Sequence, residues 1–558
     1  MVRATFSGFN TALSALQANQ KRLDITGQNL SNMNTAGYTR QQLEASSLNY
    51  TNPVSHYSNG NETAVGFGVS MNRVSQIRDP YLDIQYRSQS ADCSYTNRLQ
   101  TALNSLSKVL DETTISGIRQ AFDDVQSTLT SMQDPAKVSD PIYESELRTK
   151  MQSVCNLFNQ ASRQITQAEQ NEFQRLTGEG SSEQGDVQKI NDILRQIGDL
   201  NVQIKRNQVA GHPSLELQDE RNLLLDELSG YIPVETRYYK DVAHSGNNAY
   251  DYDANGAVIG KKDWPDDLEV SMNYIDAQGK SQKLILVNGS DLGTDGLTKN
   301  YGQLSVLKGD RQTAASVSDP ANISIKFEKA PSYNGNGQAA ADVYAELKGI
   351  HFEGGSLQAS LDMLQKTGTG NVINGSTAVD DVRGYQYYSE KLDQLASTFA
   401  NSMNDINNNG KNPKDQNLLS NSTNDSTTGI TAGNIGISKG WTSGTIHIST
   451  DGTNRTDTIL DMIAAMKDTK KLNGKTFADY MNNLSTQLAS DSSSNQTALK
   501  TGTTVLNSIQ DSRDSLSGVS LDEEATNMMA YVSAYNAASR LMTALDEVLN
   551  TLISNTGA

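Results

Sequence analysis

The sequence predicts a multidomain α+β protein, with terminal helices paired as a coiled-coil stalk, an adjoining mostly helical domain, and an inserted β-rich outer domain. Three observations predict it. Apolar residues keep a heptad rule at both ends of the chain, helical three-and-four spacing fills most of the remainder, and residues 231–352 change to short β-prone runs between Asn, Asp and Gly clusters. At roughly 100–200 residues per domain, a chain of 558 residues suffices for three or four. The expected division is 1–50 with 515–558 for the stalk, 51–230 with 353–514 for the helical domain, and 231–352 for the insert.

In the first stripe, Phe6, Phe9, Leu13, Leu16, Leu23 and Leu30 alternate three and four apart, with Gln20 and Gly27 in the missing seam positions. In the last, Leu521, Ala525, Met528, Val532, Tyr535, Met542, Leu545, Leu549 and Leu552 repeat the rule across 519–556, a stretch without Gly or Pro that spans roughly 50 Å as a helix. Ser520 and Glu523 form a capping box at its start, each satisfying one orphan amide. A lone stripe is ordinarily the face a helix buries in its own domain. Two narrow seams at opposite chain ends need covering, and each is the other's nearest candidate, so the ends pair and the rest of the chain projects from them.

Residues 83–228 read as mostly helical, in segments such as "GIRQAFDDVQSTLTSM" and "VQKINDILRQIGDLNVQIKR". Pro135 and Pro141 break the pattern near Met132, and "TGEGSSEQGD" separates two long helices. In the insert, "YIPVETRYY", "LEVSMNYID", "QKLILVNGS" and "ISIKFEK" read as strands. Helical texture returns in "GGSLQASLDMLQK" and over 384–406, 458–466 and 477–509. It is interrupted at 407–450 by an Asn-, Ser-, Thr- and Gly-rich stretch expected to form surface loops or a small β excursion.

Lys and Arg total 46 against 64 Asp and Glu, a net charge of −18, and no local basic cluster offers itself to phosphate, so no nucleic acid partner is expected. No apolar run reaches 18 residues and the N-terminus lacks an apolar h-region, so no membrane span and no cleaved signal are expected. On these signals the chain stays cytoplasmic unless it leaves by a route that needs no cleaved signal. No P-loop, HExxH or GxSxG motif occurs, and His56, His212, His244, His351 and His447 lack ligand-like spacing. "DYDANGAVIGKK" copies the first half of an EF-hand through Asp251, Asp253, Asn255 and Gly256, yet Lys262 stands where the bidentate Glu belongs, so a polar turn is expected. "DINNNGKNPKDQN" fails likewise at Gln416, with Gly410 ending a helix. Cys93 and Cys155 leave room for one disulfide or for two buried thiols on separate helices. No catalytic residue, metal or cofactor is therefore expected.

The most specific text lies at the ends. "FSGFNTALSALQANQKRLDITGQNLSNMNTAGYTRQ" resembles the N-terminal signature of bacterial flagellar rod, hook and hook-associated axial proteins, a helix followed by Asn-Leu/Ile-Ala/Ser-Asn and Thr-x-Gly-Tyr. "SGVSLDEEATNMMAYVSAYNAASRLMTALDEVLNTLI" is similar to the C-terminal helix of the hook-associated branch that joins hook to filament. Three internal segments, "LELQDERNLLLDELS", "GGSLQASLDML" and "YSEKLDQLASTFANSMNDINNNG", are similar to helical parts of the same branch, and rod and hook proteins lack them. Asn407 departs from the histidine often found there, and the insert is not recognisable.

The resemblance implies a non-catalytic structural adaptor, exported through the flagellar type III export apparatus with a dedicated export chaperone. It implies assembly with copies of itself in a ring or helical array at the distal end of the hook, between the hook protein and a second hook-filament junction protein. The implied assembly interface is Phe6, Phe9, Leu13, Leu16, Leu23 and Leu30 with Leu521, Met528, Tyr535, Met542, Leu549 and Leu552. The alternative is a surface-exposed adhesin or binding protein anchored by flagellar-type ends and working through 231–352. An exposed apolar or aromatic patch on the insert would favour adhesion, and a clustered acidic or histidine site would favour an enzyme.

"QNLSNMNTAGYTRQ", residues 28–41, marks where the chain leaves the stalk for the body. Asn29, Asn32 and Gly37 supply turn conformations, and Tyr38 and Arg40 either dock the link onto a neighbouring copy or close a locally satisfied turn.

Overall fold

The computed structural model describes residues 2–48, 68–110, 112–138, 140–240, 250–252, 258–261, 266–276, 278–289, 299–330, 343–346, 350–368, 372–373, 376–377, 382–408, 416–448 and 456–556. Helix α1 (Val2–Asn32) leads to an antiparallel hairpin, β1 (Gln41–Ser47) with β2 (Val69–Gln76). Helices follow: α2 (Pro80–Val109), α3 (Glu112–Ser131), α4 (Pro135–Val138), α5 (Pro141–Thr177), α6 (Asp186–Val209) and α7 (Leu215–Tyr231). The β-rich region holds β3 (Glu235–Lys240), β4 (Tyr250–Tyr252), β5 (Val258–Lys261), β6 (Asp266–Ile275), β7 (Ser281–Asn288), β8 (Gln303–Lys308), β9 (Ile323–Glu328) and β10 (Val343–Ala345). The chain returns through α8 (Ser356–Gln365), the short pair β11 (Val372–Ile373) and β12 (Ser376–Thr377), and α9 (Tyr385–Asn408). It ends with the hairpin β13 (Leu419–Asn421) and β14 (Ile435–Ile437), then α10 (Lys439–Ser443), α11 (Asp457–Met466), α12 (Phe477–Ser517) and α13 (Leu521–Thr556).

Helix limits follow local chemistry. Asp79 and Asp140 cap α2 and α5 by accepting from the amides of Tyr81 and Ile142, while Pro80 and Pro141 occupy first turns where no amide is missed. Gly178 ends α5 at φ 77°, and a Cβ there would sit 2.8 Å from Gly185 N. The breaks near Met132 and in "TGEGSSEQGD" therefore fall where the prolines and glycines put them.

Residues from both sides of the insert share one core. Phe122 of α3 lies 5.9, 5.2 and 5.6 Å, centroid to centroid, from Phe158 of α5, Phe399 of α9 and Phe477 of α12. All four rings are buried, and α2 packs along α12. The insert forms two three-stranded antiparallel sheets, β3-β6-β7 and β10-β9-β8, whose buried Leu268, Val270, Leu286, Ile325 and Phe327 continue the same core. The four quoted β-prone runs become β3, β6, β7 and β9; β8, β10 and the two-stranded pair β4–β5 are additional.

Two features depart from the expectation. The hairpin β1–β2 lies where no strand was expected, because "QQLEASS" holds one large apolar residue and its inner face is covered by α1 rather than by a core of its own. Within 407–450, expected as surface loops or a small β excursion, the described residues hold the hairpin β13–β14 and α10, and only part of them lies at the surface. Leu418, Leu419, Ile430, Ile435 and Trp441 are buried, and Trp441 Nε1 donates to Glu144 Oε1 at 2.7 Å. Side chains of the EF-hand-like stretch at 251–262, residues 409–415, His56 and His244 lie outside the described residues.

Candidate assembly surface and its joint

α1 packs along α13, and three contacts fix their relative direction. A Cβ on Gly8 would meet Leu545 at 3.4 Å, Arg22 lies over the Tyr531 ring at 5.6 Å, and Arg40 reaches Glu523 and Glu524. Rising numbers on the first helix meet falling numbers on the last, so the pair is antiparallel.

The buried face is not the expected large-residue seam. On α1 the buried residues are Ala12, Ala18, Asn19, Ile25, Thr26 and Asn29; on α13 they are Glu524 and Ala538. Small side chains let the backbones approach closely, and the hairpin covers a further side of α1. Phe9, Leu16, Leu23 and Leu30 are half-buried, as are Met528, Tyr535, Met542 and Leu549, while Leu13, Leu521 and Leu552 are exposed. The side chain of Phe6 lies outside the described residues. Met529, Leu541, Val548 and Ile553 are also exposed, at 65%, 48%, 56% and 60%. These four sit off the heptad register, so seam counting passed them over, although their size and number on one polar helix were a readable signal.

The joint is closed by its own chain. The amide of Asn29 donates from Nδ2 to Gln41 O at 3.0 Å, and its Oδ1 accepts from Gln41 N at 3.0 Å and from the Tyr38 hydroxyl at 2.8 Å. Asn32 closes the helix end by donating to Gln28 O at 3.0 Å and accepting from Thr35 Oγ1. Gly37 takes φ 78°, with Leu223 beside the place of its missing Cβ. Thr39 donates from its amide to Asp219 Oδ2 at 3.0 Å and from its hydroxyl to Oδ1 at 2.6 Å. Arg40 binds Glu524 at 2.8 Å and Glu523 at 2.7 Å, and its amide donates to Ser517 O at 2.9 Å. Glu523, expected in a capping box, thus gives a carboxylate oxygen to Arg40. Tyr38 and Arg40 both find partners within the chain.

Arg78, Arg513, Asp83 and Asp226 complete a polar cleft of about 660 Å³ between the link after α1 and helices α2, α7, α12 and α13. Burial pushes Asp219 up to about 6, against the opposing pull of Thr39 and Arg78. Burial, followed by Asp219, Glu216 and Glu524, holds the Tyr38 phenol above its ordinary range. Sequence reasoning named Tyr38 and Arg40 but missed Arg78, which pairs with nearby Asp83, and Asp219 and Arg513, whose partners Thr39, Asp83 and Asp226 lie far away in the chain.

Among the described residues no group of three His, Cys, Asp or Glu side chains could hold a metal ion. Cys93 and Cys155 are both free and buried, on α2 and α5, and burial pushes Cys155 up to about 12. On the insert, Tyr238 is the exposed large apolar residue among those described, and Arg221 lies over its ring at 5.6 Å.

Matches to known families fall on three stretches of the chain. Residues 103–418 match the family model of the flagellar hook-associated protein FlgK helical domain. Residues 9–39 match the flagella basal body rod protein model, and 512–555 the C-terminal model of the flagellar basal body rod FlgEFG proteins. The flagellar hook-associated protein 1 of Bacillus subtilis is 28% identical over 572 aligned residues, covering 99% of each chain. The protein of the same name from Salmonella typhimurium is 29% identical over 230 residues, 40% of this chain and 38% of its own. A solved structure of the flagellar hook junction protein FlgK from Burkholderia pseudomallei aligns over 61% of this chain and 44% of its own, at 19% identity and a TM-score of 0.37, too low to carry an argument about arrangement.

Proposed function

The chain belongs to the flagellar hook-associated protein FlgK family, and from that premise we propose a structural adaptor that polymerises at the distal end of the hook and joins hook to filament. The observation that carries this reading is the antiparallel terminal pair, matched at both ends by axial-protein models and left with exposed Leu13, Leu521, Met529, Leu541, Val548 and Leu552. A monomer gains nothing from such a surface; a stack of copies covers it. The function is mechanical and non-catalytic, and the place of action is the flagellum outside the cell.

In this reading residues 1–50 with 515–558 form the stalk, 51–230 with 353–514 the helical domain, and 231–352 the outer insert, with hairpin β1–β2 as a strut across the first boundary. The assembly residues are Phe6, Phe9, Leu13, Leu16, Leu23 and Leu30 with Leu521, Met528, Tyr535, Met542, Leu549 and Leu552. Asn29, Asn32, Gly37, Tyr38 and Arg40 form the joint. Partners are further copies, the hook protein and the second junction protein, and the route is the flagellar export apparatus with its chaperone.

Deleting the protein tests the role: electron microscopy should show bare hooks, with flagellin lost to the medium. Replacing Leu13 and Leu16 by Asp should leave a folded monomer that cannot join the hook. Normal filaments in either case would sink the reading.

A further inference from the structure

A cavity of about 410 Å³ opens between the first half of α2 and the edge of the β3-β6-β7 sheet, and it shares no lining residue with the cleft at the joint. Ile84, Ser88 and Ala91 fall on one face of α2, and the small Ser88 and Ala91 leave the room. Val234 and Ile275 line the sheet side, and Ile84 is 54% exposed at the mouth. The sheet edge is broken here. β3 begins with Glu235 opposite Ser271, whereas β6 continues to Ile275, which exchanges both backbone bonds with His351 at 2.7 and 2.9 Å. Backbone groups along a strand point alternately to either side, so the amide and carbonyl of Asn273 face the gap between Glu235 and His351. Pro233, in line with Asn273 by that register, has no amide to give.

The rim carries charge of one sign. Glu235, held by Asn273 Nδ2 at 2.5 Å, and Glu353 line it, and among the described residues no Lys or Arg does. Asp92, beside Ala91, adds a third carboxylate: burial, and then Glu353, holds its carboxyl above the ordinary range. Arg237 and Lys283 of the same sheet are both drawn to Glu269, at 2.9 and 2.8 Å.

We propose that this pocket docks a segment of a partner protein in which a large apolar side chain stands next to Lys or Arg. The volume falls within the roughly 300–1,000 Å³ of binding pockets. The apolar side chain covers Val234, Ile275 and the exposed Ile84, the neighbouring cation answers Glu235 and Glu353, and the segment's backbone meets the donor and acceptor of Asn273. A chain of net charge −18 is a poor source of such a segment, so the occupant is a different protein rather than a second copy. The pocket belongs to α2 and the insert, so its failure and failure of the junction reading are separate outcomes.

The test titrates the full chain with the peptide acetyl-Lys-Leu-Leu-Lys-amide by isothermal calorimetry, against acetyl-Glu-Leu-Leu-Glu-amide and acetyl-Lys-Ser-Ser-Lys-amide. The first should bind saturably at up to about 1 mM, and about tenfold more tightly than either control. Glu235→Gln with Glu353→Gln keeps an acceptor for Asn273, and it should weaken binding about tenfold and flatten its salt dependence. Ser88→Tyr, at an exposed helical position, should fill the cavity and abolish binding with the melting temperature unchanged. No binding of the first peptide, equal binding of all three, or parent-like binding by the Gln or the Tyr variant would overturn the proposal. Self-association in analytical ultracentrifugation that Ser88→Tyr abolishes would overturn it in favour of a second copy as the occupant.

Discussion

Single residues show how burial and partner set the behaviour of each charge. Glu169 is buried in α5, and burial pushes its carboxyl up to about 7 although Gln386 donates to it at 2.6 Å. A folded-state pKa above the unfolded one means that the folded chain holds the extra proton between about pH 4.5 and 7. Stability from this group is therefore present at acid pH and falls as pH rises through that window, by an amount on the order of 2–3 kcal/mol. Glu169→Gln keeps an acceptor for Gln386 and removes the charge, so it should raise the melting temperature at pH 8 and change it little at pH 4.5. Equal shifts at both pH values in thermal melts would contradict the assignment. Asp219 has the same sign and adds to the acid-side gain, its window running from about 4 to about 6.

At the scale of elements, the terminal pair separates what sequence can show from what it cannot. Pairing of the two ends was legible, because two heptad stripes with nothing between them in register leave few other partners. The packed face was not. Seam counting ranks residues by size, yet the face α1 buries is built of Ala12, Ala18, Asn19 and Thr26, which carry no strong apolar signal. Leu13→Ala, at a residue 47% exposed, should therefore cost the isolated chain less than about 0.5 kcal/mol. Ala12→Leu, at a fully buried site, should cost about 1–3 kcal/mol by overpacking and loosen the pair first. Hydrogen exchange along α1 separates the two expectations, and the opposite ranking would restore the large-residue seam. The hairpin β1–β2 was missed for a related reason: one face of it packs on α1, so its own alternation is faint. The joint was half legible. Local turn chemistry announced Asn29, Gly37 and Tyr38, whereas Asp219 and Arg513 reach it only through tertiary pairing across 180 and more residues.

For the whole molecule, the question is whether force entering at the terminal helix pair reaches the β-rich insert. The insert does not rest on apolar contact alone, because side-chain amides on both sides of the boundary hold backbone carbonyls across it. Asn201 of α6 donates to Leu268 O and Gly289 O, each at 3.1 Å, while accepting from Arg221 at 2.8 Å. Asn300 donates to Gly198 O at 3.0 Å and Gly289 O at 2.6 Å, and Asn191 both donates to and accepts from Leu304. Each of these bonds is short-range and directional, and Asn201 and Asn300 are fully withdrawn from water, so leaving the carbonyls unpaired costs about 1–3 kcal/mol apiece. Asn201→Ala with Asn300→Ala should loosen the insert from α6, because Gly289 O then loses both donors. The expected result is faster proteolysis and exchange in β6 and β7, with the Phe122 cluster as protected as before, and an unfolding curve in which the insert melts ahead of the body. A single transition shifted as a whole would mean that the core shared by body and insert, which runs from Ile190 to Phe327, transmits load without these clamps.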